Sequence, residues 1–422
     1  MDPSTFIDPY LTPPDRLVLD NLLKDAETPP KKGRSSKENG SSPDDDATIS
    51  QLEAFNDPQH AEFVPSVLFT WDLKDIKLPP VLDQWLLQPY IKAARSIVRT
   101  ETDVVMLTHL LLYFSTSVPS AIYLFCNFHW VHGVLHWIMQ SWYVGSYTLM
   151  MHQHIHMGGI LNKRSWWLFD LLFPYITDPL MGHTWNSYFY HHVKHHHVEG
   201  NGPEDLSSTI RYQRDSLADF ACYVGRFYFF VWFELPTYFL RKGKVTLGLK
   251  AAFWELGSYL FMYLLWNYVS WRATLFVFLM PFLQLRVGLM VGNWGQHAFV
   301  DETDPNSDFR SSITLIDVPS NRFCYNDGYH TSHHLNPRRH WRDHPVAFLR
   351  QKDRYSAEHA LVFRNIDYIM ITVRLMRKEY HHLAKCLVPM GDQIGKSEDE
   401  LAAMLRTKTR RFTEEEIKRK FA

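Results

Sequence analysis

The sequence predicts an all-α integral membrane protein with about four transmembrane helices. Its 422 residues carry a formal net charge of −1, and most of the 28 Phe, 21 Tyr and 14 Trp fall in a central block between polar ends. Four stretches of that block are long and apolar enough to cross a hydrocarbon layer of roughly 30 Å. Aromatic rings also favour the membrane interface, where they lie at headgroup level.

Two polar segments precede the apolar block. Residues 1–60 are predicted to form a disordered tail, because residues 29–51 are poor in apolar side chains and rich in Ser, Pro and charge. No secretory signal is expected there, since no apolar core follows a basic start. Residues 61–103 are predicted to form an interfacial segment, in which an amphipathic run through Trp85 and Tyr90 lies on the bilayer surface.

Residues 104–345 are predicted to form the membrane domain, and residues 346–422 a cytosolic C-terminal region. The predicted spans are residues 104–128, 131–151, 253–271 and 273–293. A fifth apolar stretch, residues 221–240, carries Arg226, Glu234 and Pro236, and charge at bilayer depth is costly. We therefore expect this stretch to lie in the interface. An even number of crossings then keeps the segments before and after it on one side of the membrane.

Basic residues indicate which side that is. Lys163 and Arg164, residues 241–244 and residues 338–342 all fall on the side of the histidine clusters, which the positive-inside tendency makes cytosolic. The last five residues also resemble a dilysine retrieval signal for the endoplasmic reticulum, although a charged tail without that role explains the same residues. Residues 396–422, with alternating charges, predict a solvated helix.

One charge, Arg286, lies inside an apolar helix. Two interpretations are open for it. The guanidinium contacts the polar end of a substrate, or its stem extends toward the interface so that the charge reaches water.

The 23 His residues are the main chemical feature. His152 and His156 are four residues apart at the end of a predicted helix and so project from one face. The middle cluster, HHVKHHH, allows two registers, in which His192 and His196 are joined by either His197 or His195. The candidate metal ligands are His152, His156, His192, His196, His197, His297, His330, His333 and His334.

Nine imidazoles indicate two metal ions rather than one. A zinc site closes with four ligands, whereas two irons would use the whole set, and imidazole suits iron. The four Cys residues have no paired spacing of the zinc or rubredoxin type. Metal-bound imidazoles need acceptors for their other N–H group, and nearby candidates are Glu199, Glu204, Asp205, Asp301 and Asp327.

The three histidine boxes resemble those of the membrane fatty-acid desaturases, and several flanks are similar to the integral-membrane alkane hydroxylases of the same superfamily. The similar flanks are Pro203-Glu204-Asp205, Asn336-Pro337-Arg338-Arg339, and Asn293-Trp294 before His297. This resemblance supports His196 and His197 over His195 and His196 as the paired ligands. Gln296 and Ala298 depart from the hydroxylase pattern, which has Glu and an aromatic residue there.

The resemblance implies a catalytic domain over residues 104–345, in which transmembrane helices carry a cytosolic helical cap that holds two irons. Dioxygen and two electrons would then oxidise a lipid acyl or alkyl chain, and the electrons would come from an external electron-transfer protein and its reductase. Desaturation is the first expectation. Hydroxylation of an alkyl chain, a sterol or a carotenoid stays open, because the ligand set does not distinguish these outcomes.

Other function classes are less consistent with the sequence. The near-neutral charge gives no reason to expect nucleic-acid binding. A histidine-rich metal transporter is the alternative without catalysis. Its histidines would line successive membrane helices, whereas these clusters lie at the ends of predicted helices.

Overall fold

Helices make up most of the described chain in the computed structural model, as the sequence predicts. The structure describes residues 2–27, 42–68, 71–318 and 323–421. The helices that position the functional residues are α1 (Pro13–Glu27), α2 (Pro43–Asn56), α3 (Val104–Cys126), α4 (Trp130–Met157), α5 (Leu217–Arg241), α6 (Val245–Tyr268), α7 (Trp271–Gln296) and α8 (His330–Leu335).

Shorter elements connect these helices. The helical turns and short helices are Leu73–Asp75, Pro80–Leu82, Asp83–Leu87, Gln88–Ile97, Trp167–Leu172, Pro174–Leu180, Phe189–His196, His197–Glu199, Asp308–Ser311, Trp341–Asp343, His344–Arg350, Lys352–Ala357, Tyr368–Met376, Tyr380–Lys385, Gly391–Gln393, Glu398–Thr407 and Glu414–Lys420. Strand β1 (Ser66–Leu68) pairs antiparallel with β2 (Trp71–Asp72). Strand β3 (Ile313–Leu315) pairs parallel with β4 (Leu361–Phe363).

The chain divides into two compact units, and each is assembled from segments that are far apart in sequence. Unit 1 comprises Met1–Val64, Glu199–Tyr223 and Val291–Ala422, and unit 2 comprises Pro65–Val198 and Val224–Met290. The sequence instead predicts four consecutive segments, with boundaries near residues 60, 103 and 345. The difference arises because apolar side chains from distant segments share one core, which a linear scan of composition does not reveal.

Among the described residues, the helices long and apolar enough to cross a membrane are α3, which lies in unit 2, and α7, which belongs to unit 2 as far as Met290. The sequence predicts spans at both places. The predicted span 131–151 falls within the 28 residues of α4, and the predicted span 253–271 overlaps the 24 residues of α6 but runs past its end at Tyr268. Spanning remains a prediction for both helices. A core of apolar side chains, including Ala121, Leu124 and Phe278, packs α3 against α7.

Large apolar side chains of unit 2 are exposed along several helices. Trp142 on α4 is 69% exposed, Phe229 on α5 is 64% exposed and Phe253 on α6 is 67% exposed. Large exposed apolar surfaces are typical of sites that contact a membrane or a partner. Together with α3 and α7, this surface indicates a membrane protein.

Unit 1 contains the N-terminal helices α1 and α2, where the sequence predicts a disordered tail over residues 1–60. That prediction is wrong for both helices, and residues 28–41 lie outside the described residues. Val18, Leu19 and Leu52 are buried in a shared core with side chains from residues 309–390. The acidic run that suggests disorder begins α2, where Ser42 and Asp45 form a capping box and negative charge is favourable.

The C-terminal residues of unit 1 are also packed, where the sequence predicts a solvated helix. Leu401 and Leu405 of the helix Glu398–Thr407 are buried. Phe412 and Ile417 pack against Ile210 and Val300. Their apolar side chains are too few and too widely spaced to stand out among the charges of this segment.

Candidate metal-binding histidine groups

Four of the predicted ligands come together inside unit 2. Their ligand nitrogens all lie within 4.8 Å of one another, and the residues are His152, His156, His192 and His197. The Nε2 atom of His192 lies 2.8 Å from that of His152 and 3.0 Å from that of His197.

Two kinds of helix place these four rings. On α4, the four-residue spacing of His152 and His156 brings the ring centroids to 4.7 Å. The segment Phe189–His196 is π-helical, and His197 follows it directly. The backbone hydrogen bonds of a π-helix join residues five apart, which brings His192 and His197 to nearly the same side. The ring centroids of this second pair are 4.5 Å apart.

The other histidines of the middle cluster face elsewhere. His195 is fully buried, with its ring centroid 4.2 Å from that of Tyr238, and His191 packs against Phe227 at 4.9 Å. Of the two registers that the sequence allows, the one with His197 thus matches the histidine group of unit 2. His196 stacks on His192 at a ring distance of 5.5 Å.

Three further predicted ligands come together inside unit 1. His297 follows α7, and His330 and His334 lie one turn apart on α8. The Nε2 atom of His330 lies 3.2 Å from that of His297 and 3.1 Å from that of His334. His333, on the same short helix, is buried, with its ring 6.2 Å from that of His330.

The comparison with family models covers all of these histidines. The model described as fatty acid desaturase matches residues 128–364, which is more than half of the 422 residues. The chain belongs to the fatty acid desaturase family. The predicted resemblance to the desaturase and hydroxylase superfamily is therefore confirmed. Neither a curated protein nor a solved structure matches the chain.

Membership in the desaturase family indicates an oxidoreductase of lipid metabolism, and the family is generally diiron. The two histidine groups fit that chemistry, since they offer imidazole nitrogens and no thiolate. Burial and the neighbouring imidazoles, His197 foremost, hold the pKa of His192 well below its usual range. Its ring is therefore neutral at neutral pH, and a neutral imidazole is the form that binds a metal.

The backbone around His297 orients its ring. His297 Nδ1 lies 2.7 Å from the carbonyl oxygen of Ser311, so Nδ1 carries the proton and Nε2 keeps the lone pair that a metal needs. Thr209 donates from its hydroxyl to the carbonyl of His297 at 2.8 Å. These two contacts hold the ring and the peptide unit of the same residue.

A fully buried arginine, Arg214, holds the segment after His297. Its guanidinium donates to the carbonyl of Ala298 at 3.1 Å and to four further carbonyls, those of Thr209, Tyr212, Lys408 and Arg410. The amide of Val300 also donates to the carbonyl of Lys408 at 2.9 Å. The C-terminal segment is thereby tied to the loop that begins at His297.

Of the acidic residues near the group in unit 1, Asp308 contacts the predicted ligand His334, and Asp327 contacts Gln296, the residue before His297. Asp327, a predicted acceptor, receives a hydrogen bond from Gln296 at 3.0 Å, and burial raises its pKa to about 7. Asp308, 3.4 Å from Nδ1 of His334, was missed, because nothing in the spacing links residues so far apart. Asp301, also predicted, instead pairs with Lys408 and Arg310.

Near the group of unit 2, Tyr188 stacks on His192 with ring centroids 5.1 Å apart and an interplanar angle of 25°. His154, between the two predicted ligands of α4, points to another partner. Its Nε2 lies 3.0 Å from the carbonyl of Asp170. The carboxylate of Asp170 also accepts from the amides of Ile160 and Leu161, which fixes the turn after α4.

Proposed function

We propose that this protein is a membrane diiron oxidoreductase that uses dioxygen and two electrons to desaturate a lipid acyl chain. The observation that carries the proposal is the presence of two histidine groups in a chain of the desaturase family. One group has four imidazoles within unit 2 and the other has three within unit 1. Each number suits one iron with positions left for dioxygen or water.

The remaining two predicted ligands are His196 and His333, and we propose that both complete the ligand set. The nine residues proposed to hold iron are thus those predicted from the sequence. Acceptors such as Ser311 and Asp308 suit this role, because metal-bound imidazoles usually donate their other N–H group to a carbonyl or carboxylate.

When bound, the two irons supply the redox chemistry that oxidises an unactivated methylene. The residues of the chain orient the substrate and exclude water. A cavity within unit 2 has apolar walls formed by Phe227, Val231 and Leu235, which suit an alkyl chain. Tyr188 lines that cavity and also stacks on His192, so a chain in the cavity ends beside the histidine group.

Iron content and product analysis test the proposal together. The protein is expressed in a host with a simple lipid profile, iron is measured on the purified protein, and the lipids are analysed by mass spectrometry. We expect two irons per chain and new double bonds. Zinc without iron would contradict the proposal and favour a metal transporter or a zinc enzyme.

Hydroxylation is the second candidate, and the flanks shared with alkane hydroxylases favour it. Glu204 and Asp205 after the middle box, and Arg338 and Arg339 after the third, are the residues concerned. Desaturation removes a second hydrogen, whereas hydroxylation returns an oxygen to the carbon. New hydroxyl groups without new double bonds in the same lipid analysis would therefore assign the hydroxylase.

The proposed topology has four spans, α3, α4, α6 and α7, with α5 in the interface and the histidines on the cytosolic face of the endoplasmic reticulum. At 1.5 Å rise per residue, the 24 residues of α6 exceed a hydrocarbon layer of roughly 30 Å. On α5, Arg226 and Glu234 form an ion pair at 3.1 Å and keep charge on the helix surface.

Cysteine labelling of sealed membranes tests this topology. New cysteines near Gly200, Lys244 and Asn306 should all react with a membrane-impermeant reagent from the cytosolic side. Labelling of the Lys244 position from the lumenal side would show that α5 spans, and would contradict the four-span arrangement.

A further inference from the structure

An ion pair between Glu255 and Arg286 is buried inside unit 2. Glu255 lies on α6 and Arg286 on α7, and they are 5% and 7% exposed. The Nη2 atom of Arg286 contacts Oε1 of Glu255. An ionisable residue within an apolar helix is costly and commonly marks a functional site. Because Arg286 is buried, the interpretation that it extends to the interface is wrong.

The two partners differ in how completely their hydrogen bonds are satisfied. Glu255 accepts from Arg286 and from the hydroxyl of Tyr259 at Oε1, and from the hydroxyl of Thr184 at Oε2, 2.6 Å away. The Nη1 atom of Arg286 is buried and has no hydrogen-bond partner among the described residues. A buried donor left without an acceptor is destabilising, because its hydration is lost and nothing replaces it. A purely structural ion pair does not require this unused donor.

The unused donor belongs to a residue that lines a cavity. Arg286, Glu255 and Thr184 line it together with the apolar side chains Phe227, Val231, Leu235, Leu285 and Leu289. Its volume is about 550 Å³, including the space at its mouth. The guanidinium also lies over the ring of Phe282, 4.6 Å from its centroid, which holds its orientation.

The cavity reaches the histidine group of unit 2 through one aromatic ring. Tyr188 lines the cavity and stacks on His192, and His191 lines it directly beside that ligand. A molecule held at Arg286 is therefore held at a set position relative to the proposed metal ligands. A polar anchor at Arg286 would therefore determine which carbon of the bound chain lies beside these ligands and is oxidised.

We propose that this cavity binds a lipid chain that carries a neutral oxygen, as a hydroxyl or a carbonyl, and that Arg286 Nη1 donates a hydrogen bond to that oxygen. The oxygen is neutral because Glu255 already balances the charge of Arg286, so a carboxylate would add an uncompensated buried charge. The consequence for which carbon is oxidised rests on the proposed function, whereas the binding itself does not.

A competition assay tests the anchor without any turnover. Full-length protein in phosphatidylcholine nanodiscs is loaded with tritiated hexadecan-1-ol, which is displaced by unlabelled hexadecan-1-ol, methyl hexadecanoate, hexadecane or hexadecanoate. We expect hexadecan-1-ol or the ester to compete about tenfold better than hexadecane. One hydrogen bond from a charged donor accounts for a difference in affinity of this size. The better of the two identifies the oxygen as hydroxyl or carbonyl.

The anchor is removed by the double variant Glu255→Met and Arg286→Met. Both residues are changed because a single change leaves a buried charge without its partner. In this variant the oxygenated chain and hexadecane should compete about equally well. The control is Arg226→Met with Glu234→Met, which removes the same residue types from a partly exposed ion pair of unit 2, and it should keep the preference.

A second variant, Arg286→Lys, keeps a cation beside Glu255 but lacks the second guanidinium nitrogen. We expect it to fold and to lower the preference about threefold or more. No preference in the natural chain, better competition by hexadecanoate, or a full preference in both variants would each overturn the proposal.

Iron and product analysis on the same preparations separate this inference from the proposed function. A preparation that prefers hexadecan-1-ol yet contains no iron and forms no product would contradict the desaturase proposal alone. A preparation with two irons and new double bonds that binds hexadecane as well as hexadecan-1-ol would overturn the anchor alone.

Discussion

The two histidine groups offer the same imidazole nitrogens but are positioned differently. In unit 2 the four histidines are placed by one α-helix and by one π-helical segment with the residue that follows it. In unit 1 the ring of His297 follows a helix end and is oriented by Ser311, while Asp308 contacts His334. The first group depends mainly on local spacing, and the second on contacts with distant loops.

This difference has a consequence for sensitivity to substitution. The loop that begins at His297 is held by Arg214 and by the segment at Lys408. Substitutions far from the imidazoles should therefore weaken the group of unit 1. The group of unit 2 should respond mainly to changes in its own two helical segments.

The largest expected effect is the loss of metal from either group. His192→Ala should lower iron in unit 2, and His330→Ala in unit 1, because each ring contacts two others of its group. Activity should fall to background in both. The matched control is His154→Ala, whose ring contacts the carbonyl of Asp170 instead. Two irons per chain in either ligand variant, measured by elemental analysis, would contradict the assignment.

A stability loss of about 3 kcal/mol is expected from Arg214→Met, because a charged donor is removed from five buried carbonyls. Denaturant unfolding in detergent micelles measures it. Arg211→Met is the control, since Arg211 forms a partly exposed ion pair with Glu414, and such pairs contribute roughly 0–1 kcal/mol. Equal losses in the two variants would show that Arg214 does not hold this loop.

A smaller effect is expected when an orienting carboxylate is neutralised. Asp308→Asn should weaken iron binding by about 10- to 100-fold, because Nδ1 of His334 loses its charged partner. Competition with a chelator measures this affinity. Asp304→Asn, at an exposed position of the same loop, should change nothing. Unchanged iron affinity in Asp308→Asn would show that the group of unit 1 does not depend on this contact with a distant residue.

The smallest effect concerns the pH dependence of stability. Burial raises the pKa of Asp327 to about 7, from an ordinary value of 3.8. Between these pH values Asp327 is ionised in the unfolded chain and protonated in the folded chain. The free energy of unfolding should therefore fall as pH rises, by about 1 kcal/mol per pH unit. Asp327→Asn should lose this slope between pH 5 and 7. Thermal unfolding of the natural chain and of Asp327→Asn across that pH range measures the two slopes. Equal slopes would show that Asp327 does not cause the pH dependence.

Some features of the site follow from local spacing alone. The pairs His152 with His156, and His330 with His334, are four residues apart, and that spacing on a helix brings imidazoles together whatever surrounds it. The pair His192 with His197 is five residues apart, which suits a π-helix and not an α-helix. The residues between His192 and His197 gave no sign in the sequence that the helix there is a π-helix.

The sequence by itself determined the helical class, the family and the histidines that form the two groups, because these depend on local hydropathy and on residue spacing. Only the tertiary structure decided that α1 and α2 are folded, that Asp308 supports His334, and that Arg286 is paired with Glu255. Each of these depends on which distant segments share a core, and burial is a property of that packing. Charge in a linear sequence predicts exposure, whereas Arg214, Glu255 and Arg286 are buried among partners that other segments supply.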